Sequence, residues 1–144
     1  MEATLEPKGV NRGDGLTPDG LTTYPFSQGK ALCWDATCVN TYNETSVMEC
    51  AMEAGSAAKK RENEKRAKYP EMVRRFRFEP IAIETSGVFG PTTRAIINEI
   101  GKRISEKTGD VRESLWFKQR LSIAVQKGNS ISILSPDWHR TNYL

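Results

Sequence analysis

Two aspartates, a lysine and a glutamate carry the chemistry that this sequence suggests. Asp19 stands in Thr17-Pro18-Asp19-Gly20, at the head of an apolar-alternating run from Leu21 to Phe26. Asp35 stands in Trp34-Asp35-Ala36-Thr37, inside a second such run from Ala31 to Val39. An aspartate next to Leu32, Cys33 and Trp34 is costly to bury unless a positive charge meets it. Two converging carboxylates that hold a divalent cation supply that charge. Magnesium is commonly bound by one or two carboxylates, with water and phosphate oxygens completing its shell. The plainer reading makes Asp19 part of a Pro-Asp-Gly turn and gives Asp35 an ordinary cap or pair.

The elements around these acids follow from local pattern. Ser27-Gln28-Gly29-Lys30 links the two runs, which predicts a β-hairpin. Strand alternation then puts Cys33, Asp35 and Thr37 on one face and Trp34, Ala36 and Cys38 on the other. Residues 1–16 carry Pro7, Gly9, Gly13 and Gly15, and read as a flexible, loop-like segment. Val39 to Thr45 is polar and also loop-like. From Val47 to Tyr69 the pattern turns helical, with residues 54, 58, 61, 65 and 68 or 69 along one stripe. Gly55 weakens the middle of that helix, and Pro70 stops or resets it. Its basic end is either a solvated helix end or the source of one lysine beside the two aspartates. Arg74 to Phe78 is basic and aromatic. Pro80-Ile81-Ala82-Ile83 reads as a buried strand, and Glu84 follows at its end, where site residues of open α/β sheets often lie. An ordinary exposed strand end reads equally well there.

A helix is predicted over about Thr93 to Lys107, with Ile96, Ile97, Ile100 and Ile104 as its buried stripe. Gly109 ends it. A second helix starts at Asp110-Val111-Arg112-Glu113, runs to about Lys127 and stops at Gly128-Asn129, so the two form an antiparallel pair. Ile131 to Leu134 fits a strand or one more helical turn. These elements make one domain of α+β (α/β-like) class: a flexible segment over 1–16, a core over 17–90, a helical pair over 91–134 and a tail over 135–144.

Composition narrows the classes. At 144 residues, 38% hydrophobic and 27% charged, the chain is globular, and a net charge of +3 does not by itself imply nucleic acid. No run of about 18 apolar residues suggests a membrane span. No signal peptide is recognisable, so Asn43-Glu44-Thr45 reads as a chance glycosylation pattern. Cys33, Cys38 and Cys50 are odd in number, and Cys33 and Cys38 point to opposite faces of one strand. With His139 as the single histidine, zinc-ligand spacing is missing. A reducing, intracellular setting with free thiols is expected.

The order Pro-Asp, then Asp-x-Thr, then a lysine-bearing helix, then a strand ending in glutamate resembles the PD-(D/E)xK nuclease superfamily, also called restriction-endonuclease-like. In that family a hairpin carries both acids, and a helix and a further strand follow. The resemblance implies a restriction-endonuclease-like core lacking its first helix, with Asp19 and Asp35 as magnesium ligands and Glu84 as a further acidic site residue. The family's lysine position is Thr37 here. In members where the lysine moves to the following helix, Lys65 is the matching residue, with Arg61 and Lys68 behind it.

A closer resemblance is to domains at the tail of reverse-transcriptase-bearing mobile elements of invertebrates. It is carried by Pro18-Asp19-Gly20-Leu21-Thr22, Trp34-Asp35-Ala36-Thr37-Cys38, Lys65-Arg66-Ala67-Lys68-Tyr69, Glu84-Thr85-Ser86-Gly87, Thr108-Gly109-Asp110 and Gln119-Arg120-Leu121-Ser122-Ile123-Ala124. The chain is also similar to the endonuclease of site-specific non-LTR retrotransposons, in which a basic residue stands where Thr17 is here. These resemblances imply a magnesium-dependent endonuclease acting on DNA or an RNA-DNA hybrid, nuclear when active, within a longer reverse-transcriptase polyprotein. A non-catalytic remnant of the same fold that binds nucleic acid or a partner is the alternative. Lys59, Lys60, Arg61, Lys68, Arg74, Arg75 and Arg77 would meet backbone phosphates.

Overall fold

The computed structural model describes residues 2–8, 10 and 17–134. The tail expected over 135–144 lies outside them. The fold is α+β: strands β1 (Ala3–Leu5), β2 (Gly20–Thr22), β3 (Leu32–Val39) and β4 (Arg77–Glu84), with helices α1 (Glu44–Met52), α2 (Ser56–Lys68), α3 (Pro70–Arg75), α4 (Pro91–Thr108) and α5 (Glu113–Leu134). One sheet holds the strands in the order β1-β2-β3-β4. β1–β2 and β2–β3 are antiparallel, and β3–β4 is parallel, joined by the crossover through α1, α2 and α3.

The predicted hairpin forms. Gln28 and Gly29 both have positive φ, 50° and 73°, and Ser27 and Lys30 exchange backbone hydrogen bonds of 3.2 and 2.9 Å. Two successive left-handed residues match the right-handed twist of the strands they join. The segment expected to be loop-like at the N-terminus instead supplies an edge strand. Ala3–Leu5 is too short to show alternation, and its register against Gly20–Thr22 comes from backbone pairing.

The helix expected over Val47 to Tyr69 is two helices. Gly55 adopts φ 90°, a conformation that an L side chain rarely takes, and it ends one axis and begins the next. The first helix also starts earlier than expected, because the Asn43 side chain accepts the Ser46 N–H at 2.8 Å and caps it. Pro70 opens α3 at its first position, where a missing N–H costs nothing. The α4–α5 antiparallel pair is present, but α5 runs through Gly128 and takes in Ile131 to Leu134 as helix.

Each face of the sheet has its own core. Cys33, Tyr69, Met72 and Phe78 pack together on the side of α2 and α3; Phe26, Leu32 and Ile96, with Trp34, Ile81 and Ile100, pack on the side of α4. The outer edge of β4 is occupied. Glu84 N–H donates to Val88 O at 2.8 Å, Gly90 N–H to Ala82 O at 3.0 Å, and Ala82 N–H to the Thr93 hydroxyl at 2.8 Å. Pro80 lies in phase with Ala82 and Glu84, so its missing N–H falls on this outer edge, where strand prolines are tolerated. No helix among the described residues is long and apolar enough to cross a membrane.

Candidate metal and phosphate site

Asp19 directly precedes β2. The register pairs Gly20 with Trp34 and Leu21 with Cys33, so one step further Asp19 stands opposite Asp35. Directly opposed residues of an antiparallel pair share a face. The structure therefore places the two acids at opposed backbone positions across the hairpin. Asp19 Oδ2 accepts the Ala36 N–H at 2.6 Å, taking over from the ladder where β2 begins.

Asp35 lies mid-strand and is 7% exposed. It faces α2, whose Ala57 and Ala58 are buried and let the helix approach the sheet closely. Two turns beyond Ala58, Lys65 donates to Asp35 Oδ2 at 2.5 Å, and both side chains are largely buried. The lysine on the expected stripe thus meets one of the two aspartates. Arg61 and Lys68 do not share that inward position. Both are exposed, and Glu62 takes the inward place expected of residue 61.

Asp19 and Asp35 each keep one carboxylate oxygen, Oδ1, outside any hydrogen bond within the described chain. That donor set fits a hard cation held by two carboxylate oxygens with water and phosphate filling the rest, as magnesium prefers. No group of three or more His, Cys, Asp or Glu converges among the described residues. Cys33, two residues from Asp35 on the same face, is fully buried; that burial, together with the neighbouring carboxylate, pushes its thiol up to about 12. Thr37 is half-buried on that face.

Glu84 does not join this site. It is in register with Val39, four residues past Asp35, which is about 13 Å along the strand. Its Oε1 accepts the Ala58 N–H at 3.3 Å and the Cys50 thiol at 3.6 Å, and its Oε2 accepts the Ser86 hydroxyl at 3.3 Å. Glu84 therefore closes the start of α2, whose cap residue is Gly55 with no side chain to offer.

Glu62, which drew no attention in the sequence, does the same for α4. Its Oε1 accepts from the Thr93 N–H at 2.8 Å and the Thr93 hydroxyl at 2.7 Å, and its Oε2 from the Thr92 N–H at 3.0 Å. The cap residue there is Gly90, and a Cβ on it would stand 2.2 Å from Glu62 Oε1. The available signal was its place four residues after Ala58 on the small-residue stripe.

The basic residues divide into surface and structural groups. Lys59, Lys60, Arg61, Lys68, Arg74 and Arg75 are exposed on α2 and α3. Lys59 and Lys60 make no ion pair among the described residues, whereas Arg61 pairs with Glu64 at 2.9 Å and Arg74 with Glu71 at 2.8 Å. Lys68 lies 5.6 Å from the centre of the Tyr69 ring, and Arg75 donates to Val10 O at 2.9 Å. Arg77 is a correction. It is half-buried in β4, bound to Glu79 at 3.0 Å and to both oxygens of Glu99 at 2.9 and 2.6 Å. Hydrogen bonds from Arg77, and then from Arg103, hold the Glu99 carboxyl below its usual range. Arg77 is thus committed to fastening α4 to the sheet. No protein-family model matches the chain, and no curated protein matches it.

Proposed function

We propose that this chain is a magnesium-dependent, DNA-directed endonuclease module of the PD-(D/E)xK kind, derived from a non-LTR retrotransposon. The observation that carries this reading is the Lys65–Asp35 contact. Thirty positions of sequence separate them, and the crossover from β3 through α2 returns a lysine to the very acid that the resemblance makes a metal ligand. The opposed position of Asp19, one ladder step away, supports it further. Bound magnesium would polarise the scissile phosphate and lower the pKa of a water molecule. Asp19 and Asp35 would hold that ion through their open oxygens. Lys65 would aim its ammonium at the phosphate and stabilise charge that develops there. Lys59 and Lys60 would hold the flanking backbone by salt-dependent attraction. In this reading the module belongs to a longer reverse-transcriptase polyprotein and works inside the cell, on nuclear DNA.

One observation favours the second reading, a non-catalytic remnant that still binds nucleic acid. Lys65 and the Ala36 N–H already occupy one oxygen on each aspartate, and Thr37 offers no ammonium. A plasmid-nicking assay with magnesium separates the two. The hydrolytic reading expects nicking by the wild type and at least about a hundredfold loss in Asp35→Asn, as for removal of a group that stabilises transition-state charge. Equal nicking by both proteins sinks it. Salt-sensitive binding without nicking supports the remnant.

A further inference from the structure

A groove of about 430 Å3 opens between the end of β3, α1 and the outer side of α2, and its floor residue Val39 lies four residues, about 13 Å, along β3 from Asp35. Arg61 and Glu64 border it, which places it about one helical turn from Lys65. Its volume lies in the range of small-ligand sites. The floor is apolar, made by half-buried Val39 and buried Ala57. The rim is polar on both sides. Asn40 Oδ1 accepts the Tyr42 N–H at 3.0 Å, which leaves its amide NH2 to donate. The Ser46 hydroxyl and the Glu49 carboxylate make no hydrogen bond within the described chain. Lys60 stands opposite them.

The charges along this rim cancel. Lys60 and Arg61 face Glu49 and Glu64, and Arg61 is already paired with Glu64. A phosphate entering the groove would meet two carboxylates and no net positive charge. A flat, neutral heterocycle would meet an apolar floor for its face, with donors and acceptors for its edge. We propose that the groove takes an unpaired nucleobase of the bound strand, within a few nucleotides of the cleaved phosphate, so that the preferred substrate carries a single-stranded or extrahelical base there. The inference rests on the reading of Asp35 and Lys65 as the place where the phosphate is held. Unpaired bases cost least to swing into such a pocket, which makes discrimination against continuous duplex a natural consequence.

The full chain would be given three duplexes of one sequence: fully paired, with one bulged base, and with the bulged position abasic. Anisotropy in EDTA reads binding, and nicking with magnesium reads cleavage. The bulged duplex should bind at least about fivefold more tightly than either of the others, as burial of one base face on an apolar floor provides. Ser46→Phe, which fills the groove, and Glu49→Ala, which removes the edge acceptors without adding bulk, should each reduce that preference. Equal binding of bulged and abasic duplexes, or binding of none, overturns the proposal. A preference in EDTA without nicking in magnesium keeps the base groove and sinks the hydrolytic reading. Nicking without any preference does the reverse.

Discussion

Glu62 and Glu84 are each 1% exposed and Asp35 is 7% exposed, yet these buried carboxylates are neutralised in two ways. At the helix starts the partners include backbone N–H groups, fixed in place by the helices they begin: Ala58 for Glu84, Thr92 and Thr93 for Glu62. In both cases a glycine at the cap position leaves the space or the deficit that the distant glutamate fills. At the strand centre the partner is one lysine ammonium on a flexible stem. Backbone donors cannot leave without unwinding a helix turn. An ammonium can swing from a carboxylate to an incoming phosphate. Burial of a carboxylate alone therefore does not distinguish Asp35 from the two capping glutamates; the freedom of its partner does.

The largest effects should come from Glu62→Ala and Lys65→Met. The first strands the buried Thr93 N–H and the part-buried Thr92 N–H, while the Thr93 hydroxyl can still donate to Ala82 O at 3.2 Å, and should cost about 3 kcal/mol in urea unfolding. A loss under about 1 kcal/mol would mean that water replaces the carboxylate and that the site is not a cap. Next, Lys65→Met leaves Asp35 buried and unpaired and should cost about 3 kcal/mol. Adding Asp35→Asn should recover most of that stability while leaving nicking abolished. Two simple additive losses would show the residues uncoupled. The smallest effect belongs to Glu84→Gln, which keeps an acceptor for the Ala58 N–H. It should cost about 1 kcal/mol and leave magnesium-dependent nicking intact. Nicking lost at unchanged stability would return Glu84 to the site.

The hairpin, the strand before Glu84 and the α4–α5 pair were readable because each rests on local signals: alternation, a Gln-Gly turn, isoleucines at helical spacing. The opposition of Asp19 and Asp35 was not readable from the turn: with Ser27 opposite Lys30, an unbroken ladder would set Asp19 against Cys38, and the register of β2 on β3 is offset from that by three residues. The break at Gly55 was visible as weakness in a helix, but its depth depends on Glu84 completing the next helix from β4. Glu62 was hidden inside Lys59-Lys60-Arg61-Glu62-Asn63-Glu64-Lys65-Arg66, a run with the look of a solvated surface. Its partners are about thirty residues ahead and belong to a helix that offers no cap of its own. Arg77 reads as a phosphate contact in the sequence for the same reason: Glu99, which claims it, lies one element further on. Long-range satisfaction of polar groups leaves no periodic trace.

Among the described residues, the sheet has one sealed margin and one open margin. Val88 to Gly90 and the Thr93 hydroxyl line the free side of β4, while Ala3–Leu5 is exposed throughout, with Leu5 at 73%. Among the described residues, only that first strand offers a template on which another extended segment can add by backbone pairing. Growth of this sheet is therefore directional. A further strand, whether from a companion protein or from a misassembled copy, enters beside the N-terminus, on the flank away from the crossover that carries Lys65.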